Sequence, residues 1–509
     1  MDDLSFSGTG GVVVLIAYAV IMLGVGFLAG RDRESDGTTT ARGYYVSGGS
    51  LGFITLLFTL YATQYSGNAI VGYAPEAYRS GFGWWQSVPF MTAVITCYLL
   101  FAPRLYAVSK RRSFVTPTDF VRARFGSSAL CLLSSGLMLW GLGNYLLEQL
   151  VAMGHGIAGL TGETVPYQLG VVVFVGVMLA YSWTGGMRAV AMTDVMQGVA
   201  LLVGIVVLLG GALYLTGGGL GSLTTYLAEN APETIGAPDN EYAVNWLSMT
   251  VLIGLGAAVY PHAIQRVYAA RSERTLKRSL AVMAWLPFAT TAVVFVVGLT
   301  GLVLFPGLDV AESEQLVGRI ANEVAAINVF TYVLMILLFG GVIAAIVSTA
   351  DSALLAFSSI VSKDVYGQHI APDAPEKQKV LVGKVAGIAA IGVLLALAWN
   401  PPTTLLSLFV LKFELIVQVA PVFMLGLYWR RMAARPAFWG MLVGALIAGG
   451  LTVADLTLVP GVPGGLIGLV ANLLIVVVGS LLTPLDETVG EDVLGPVRQP
   501  EGASRQPAP

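Results

Sequence analysis

The sequence predicts an all-α polytopic membrane protein with 13 transmembrane helices, on three observations. Of its 509 residues 56% are hydrophobic and only 11% charged, against about 25% charged in an average soluble domain. Long apolar runs recur along the whole chain, without the short alternating pattern of barrel strands. Lys and Arg fall on every second connection between those runs. A hydrocarbon core of about 30 Å takes roughly 20 residues per helical crossing, so the length leaves ample chain for loops.

The runs lie near 11–29, 49–76, 83–108, 128–158, 165–184, 190–216 and 243–265, then near 280–305, 326–362, 381–399, 403–428, 436–455 and 460–483. The acidic stretch before the first run lacks a basic n-region, so that run is expected to stay as a span. The second run is interrupted by Tyr61-Ala-Thr-Gln-Tyr-Ser-Gly-Asn-Ala-Ile-Val-Gly72 and Pro75, and the seventh by Gly254, Gly256 and Tyr260-Pro261. Gly and Pro weaken the helical ladder at these points. The seventh run stands five places after the second, an odd offset, so the two cross in opposite directions, as the first helices of two inverted five-helix repeats would. Paired broken spans point to a transporter's midplane site; the alternative is close packing through small residues. Residues 484–509, rich in Pro, Gly, Gln and acid, read as a disordered tail with no attached soluble domain.

One alternating set of connections carries 24 of the 27 Lys and Arg residues, among them Arg122, Arg124 and Arg266. The opposite set carries Arg79 and Arg319 and is otherwise acidic. Short cytoplasmic loops hold the positive excess, which predicts an external N-terminus and a cytoplasmic C-terminus in the cell membrane. A net charge of −3 offers no basic field for nucleic acid. Cys97 and Cys131, in apolar surroundings, read as small core residues instead of a disulfide or thiolate metal site.

In the ninth span Ala345, Ser348 and Thr349 stand at i, i+3 and i+4, so a carbonyl and two hydroxyls share one helical face. A small hard cation takes such oxygens. Carbonyls at the break of the second span, around Ala62 and Tyr65, offer the remainder. The structural alternative is that the hydroxyls back-bond to their own helix or join two helices.

Three further stretches carry a resemblance: Ser348-Thr-Ala-Asp-Ser-Ala-Leu-Leu-Ala-Phe-Ser-Ser359 with Lys363-Asp-Val-Tyr366, Trp183-Thr-Gly-Gly-Met-Arg-Ala-Val-Ala-Met-Thr-Asp-Val-Met-Gln197, and Pro261-His-Ala-Ile-Gln-Arg266. From about residue 10 to 485 the chain resembles the sodium:solute symporter family, which includes sodium/proline, sodium/pantothenate and sodium/sugar carriers. The resemblance implies the LeuT-type five-plus-five inverted repeat, with one helix before and two after. It divides the chain into 1–48, repeats at 49–217 and 218–435, two final spans within 436–483, and the tail. It implies Na⁺ as coupling ion, held by Ala62, Tyr65, Ala345, Ser348 and Thr349. A second sodium site of some members falls here on Asp194, Ser348, Asp351 and Ser352; Asp194 also reads as a first-turn acid favoured by the helix dipole. Proline carriers have an Asp where this chain has Gln64, and an Arg where it has Gly49, which weakens a proline assignment.

A midplane solute should meet the broken spans and their facing walls, where Gln64, Asn68, Glu148, Gln149, Trp246, Tyr260 and Lys412 are candidates. Ionisable residues inside a span are costly and mark function by default. Lys412 either neutralises Glu148 or another carboxylate, or attracts an anionic solute. Glu414, two residues on, points the other way around its helix. His155 and His262 fall near span ends and receive no catalytic role.

The expected function is sodium-coupled symport of a small organic solute, an amino acid or small carboxylate before a sugar, by alternating access across the bilayer. A proton-coupled carrier of the same fold and a transporter-like solute sensor are the alternatives. A membrane enzyme is disfavoured, since no HExxH, GxSxG or Asp-rich cluster occurs.

Overall fold

A computed structural model describes residues 41–484 except 66–67, 162, 237–238 and 401–404, with scattered positions between 12 and 24 and Val493. Most of the expected first span and nearly all of the tail therefore lie outside the described residues. The described chain is helical, with a single isolated bridge between Leu51 and Ala270. Its principal helices are α1 (Phe53–Gln64), α2 (Ser87–Arg112), α3 (Ser128–Leu160), α4 (Tyr167–Leu215), α5 (Asn240–Ala258) and α6 (Pro261–Ala269). There follow α7 (Thr291–Leu304), α8 (Val329–Ser359), α9 (Glu376–Ala398), α10 (Leu405–Ile416), α11 (Ala434–Val453) and α12 (Gly464–Leu482).

Among the described residues nine helices are long and apolar enough to cross a membrane, and the bent pair α5 and α6 makes a tenth. The thirteen expected crossings are thus not all seen. One reason is α4: residues 167–215 are helical throughout, including the connection expected between the fifth and sixth spans. No proline interrupts that connection, and its residues simply continue the helical ladder.

Both predicted interruptions are present. α1 ends at Gln64, and Tyr65 leaves the helix at φ −108, ψ 72 while its N–H still bonds Tyr61 O at 2.7 Å. Helix resumes as Asn68–Val71 and Tyr73–Ser80. The second break falls at Val259-Tyr260, where Pro261 opens α6 and the axis turns by 51°. Proline fits a first helical position because its missing N–H has no partner there anyway. Gly254 and Gly256 do not form this break, since α5 runs through both. They permit close approach instead: a Cβ would stand 2.9 Å from Ala93 Cβ at Gly254 and 2.7 Å from Phe413 Cδ1 at Gly256.

α8 is opened by a capping box of Asn328 and Thr331, and packs along α4, where a Cβ at Gly341 would meet the Leu201 backbone at 3.0 Å. It continues into a π-helical turn series over Ile360–Ile370. The exterior is apolar: Val470, Leu474, Val478 and Leu482 form a row on α12, each more than half exposed. Such a row suits hydrocarbon as solvent, which is as apolar as the side chains. Two basic residues assigned to loops lie inside the protein: Arg124 is 1% exposed and Arg266 is sealed off. Arg124 stays there by donating to the carbonyls of Gly426, Trp429, Arg430 and Met432.

Candidate ion and solute site

The first break faces α8. Thr349 Oγ1 donates to the Ala62 carbonyl at 2.9 Å, and Ser348 Oγ donates to the Asp194 carboxylate on α4. Both hydroxyls thus reach other helices. Ala62, Ala345, Ser348 and Thr349 are each no more than 3% exposed, and Tyr65 is fully buried, its ring stacked on Tyr61 at 4.9 Å. The structure brings Ala62, Ser348 and Thr349 together, with Ala345 on the same face of α8. A carbonyl and hydroxyls here form a ligand type suited to a small hard cation and unable to titrate near neutral pH.

One turn along α8 a second cluster forms around Arg266. Its guanidinium lies 3.8 Å from Asp194 and donates to Thr59 O at 3.0 Å, Thr59 Oγ1 at 2.9 Å, His262 O at 3.0 Å and Ser352 Oγ. Asp194, Ser348 and Ser352 therefore converge with a positive charge already among them. Asp351, 1% exposed, follows Ser348 by three residues on α8. Sequence reasoning treated Arg266 as a loop cation; its position five residues after a helix-breaking proline is the signal that it belongs to a buried half-helix.

The second break faces α3 and α10. Lys412 Nζ is ion-paired with Glu148, both fully buried. Aromatic rings surround the ammonium, with centroids at 4.2 Å for Tyr145, 4.4 Å for Phe409, 5.3 Å for Phe413 and 5.8 Å for Tyr260. Such cation–π contacts strengthen once water is excluded. Tyr145, Tyr260 and His262 pack ring on ring, with mutual centroid distances of 5.0 to 5.2 Å. Glu414 points away, as its spacing from Lys412 requires, and accepts from Gly465 N–H at the start of α12.

The other solute candidates divide. Gln64 Nε2 donates to Tyr98 Oη at 3.0 Å, which donates to Ala257 O at 3.3 Å, so Gln64 links the two breaks. Gln149 is buried beside Glu148 and donates to Tyr145 O at 3.5 Å. Trp246 is not part of the group: it lies twelve residues before the end of α5, about 18 Å along the helix, with its ring 5.9 Å from Phe82. Asn68 opens its short helix, and its side chain lies outside the described residues. Tyr145 and His262 are the central residues that sequence reading missed.

Against known proteins, the model of the sodium:solute symporter family matches residues 44–444. The chain belongs to that family. It is a multi-pass membrane transport protein and not an enzyme, with Na⁺ as coupling ion. It is 28% identical over 475 residues to the sodium/pantothenate symporter of Escherichia coli (strain K12), covering 91% of this chain and 95% of the relative. It is 27% identical to the high-affinity proline transporter of Bacillus subtilis (strain 168), covering 80% of this chain and 86% of the relative. Among solved structures it resembles a Na⁺-coupled sialic acid symporter in a substrate-bound outward-open state, with a TM-score of 0.76 at 20% identity, covering 94% of this chain and 99% of that one. It also resembles a nucleobase-cation-symport-1 family transporter in a closed conformation, with a TM-score of 0.56 at 19% identity, covering 87% and 96%. These two likenesses show the fold, that of the LeuT-type transporters.

Proposed function

We propose that this symporter carries a small organic solute, an amino acid or small carboxylate, into the cell together with Na⁺. The carrying observation is the Thr349–Ala62 contact, which joins the hydroxyl face of α8 to a carbonyl at the first break. The ion takes the Ala62 and Tyr65 carbonyls, the Ala345 carbonyl and the Ser348 and Thr349 hydroxyls. Where α1 stops, its last carbonyls lack helical partners, and a cation satisfies them. The Arg266 guanidinium beside Asp194 and Ser352 disfavours a second sodium among Asp194, Asp351 and Ser352, since like charges repel in a dry interior. One ion per cycle is the reading.

The architecture proposed is 13 spans, with inverted repeats at 49–217 and 218–435, one helix before and two after, and the C-terminus cytoplasmic. The solute lies between the breaks, against Gln64, Glu148, Gln149, Tyr260 and Lys412. Sodium orders the first break, which carries Thr63 and hence Tyr145, so ion and solute assist one another reciprocally.

Alternating access needs ties at both ends that open in turn. At the proposed outer end Arg79 pairs with Glu76 at 2.8 Å and with Glu314 at 3.0 Å, and donates to Ser313 at 2.7 Å. At the inner end Lys363 pairs with Asp119 at 2.6 Å, and Thr116 Oγ1 donates to Asp364 at 2.9 Å. Downhill sodium entry supplies the work of the cycle.

The test is uptake into proteoliposomes of radiolabelled amino acids and pantothenate, with an inward Na⁺ or K⁺ gradient. Accumulation only with Na⁺ supports the reading; equal accumulation with K⁺, or accumulation driven by a proton gradient alone, contradicts it.

A further inference from the structure

We infer that the solute is a zwitterion, an α-amino or imino acid whose carboxylate takes Lys412 and whose ammonium takes Glu148, replacing the pair those two side chains make with each other. The inference rests on the reading that the solute lies between the two breaks.

A buried ion pair is poor stabilisation, because desolvating two charges offsets most of their attraction. This one sits against the moving parts. Tyr145, whose ring lies under Lys412, donates its hydroxyl to Thr63 O at the first break at 3.0 Å. Tyr260 belongs to the second break and also faces Lys412. A pair kept only for packing needs no such place.

The surroundings carry more polar capacity than the protein uses. Both ring nitrogens of His262, the Tyr260 hydroxyl and Gln149 Oε1 are buried without a hydrogen-bond partner. Buried polar atoms are otherwise almost always satisfied, so a group of them in and beside one ring stack calls for a ligand with its own donors and acceptors. Phe409 and Phe413 add an apolar wall for a hydrocarbon side chain.

Charge balance selects the class. An anion beside Lys412 would confront Glu148 and leave the site negative, and an amine would leave it positive. A sugar brings nothing that replaces either charge. A zwitterion brings one of each, turning one ion pair into two with no change in net charge, and such neutrality is what a dry interior demands.

The test is the melting temperature of the full-length protein in fixed NaCl with proteinogenic L-amino acids, the N-acetyl and amide derivatives of the responding one, pantothenate and glucose. At least one amino acid should stabilise the protein, and blocking either end should weaken the response about tenfold or more. Single variants of the pair leave a buried charge and risk misfolding, so the double variant Glu148→Gln with Lys412→Met is used alongside. It should keep the sodium shift and lose the amino-acid shift. Equal responses to an amino acid and its N-acetyl form, an amino-acid shift retained in the double variant, or no response to any amino acid would each overturn the inference. The sodium shift measured without solute reports separately on the ion reading, which can stand while the zwitterion assignment falls.

Discussion

The hydroxyl of Tyr145 donates to the carbonyl of Thr63 at 3.0 Å, and the ring of the same tyrosine lies 4.2 Å from Lys412 Nζ. One side chain thus touches the first break, a residue away from Ala62, and the buried ion pair. It connects the proposed ion and solute positions through a single residue.

Tyr145→Phe keeps the ring and removes the bond to Thr63. The expected result is weaker coupling: the solute's sodium-dependent gain in affinity should shrink by about 1 kcal/mol, roughly fivefold, with little change in solute binding at saturating sodium. Solute titrations at several NaCl concentrations check this.

How far the site was legible depended on what each residue does locally. Ser348 and Thr349 were legible because helical spacing fixes which residues share a face. Lys412 and Glu148 were legible because an intramembrane charge needs a partner, and the structure pairs them. His262 and Arg266 were not. They follow Pro261 in a half-helix of nine residues, buried on all sides. A short amphipathic segment ending in basic residues reads as a span end, and depth in the bundle comes from the helices packed around it. Trp246 erred oppositely, since distance from the break is set only once the break is located at Tyr260.

A structural control lies on the opposite side of α10. Glu414 accepts from Gly465 N–H, while Gln418 donates to Gly465 O at 2.8 Å and Asn472 donates to Gln418 O at 2.9 Å. These bonds fasten α12 to the bundle. Glu414→Ala should cost about 1–3 kcal/mol by leaving buried groups unpaired, lowering the melting temperature while leaving the sodium increment unchanged. Melting curves with and without NaCl distinguish the two.

Glu314 makes the outer tie sensitive to pH. Burial raises its carboxyl pKa above the ordinary value, with the neighbouring Arg79 opposing the shift less strongly. A raised folded-state value means that the group's contribution to stability is fullest below the unfolded pKa and is lost as pH rises through the folded one. Glu314→Gln should therefore be more stable than wild type at neutral pH, and the difference should close as pH falls toward about 4. Melting temperatures across that range test the sign; a difference independent of pH would contradict it.

The Lys363–Asp119 pair, at 2.6 Å and partly exposed, should contribute under about 1 kcal/mol to stability. Its effect belongs to the conformational balance. Lys363→Gln should favour the inward-open state, read as faster labelling of a cysteine placed at Ser359 in a variant lacking Cys97 and Cys131.

The most direct test of the central claim is the sodium dependence of melting in wild type and in Ser348→Ala with Thr349→Ala, using KCl at matched ionic strength as reference. A ligand stabilises the state it binds, so wild type should melt higher in NaCl and the double variant, still folded, should melt alike in both salts. A double variant that keeps the full sodium increment would contradict the placement of the ion between Ala62 and Thr349.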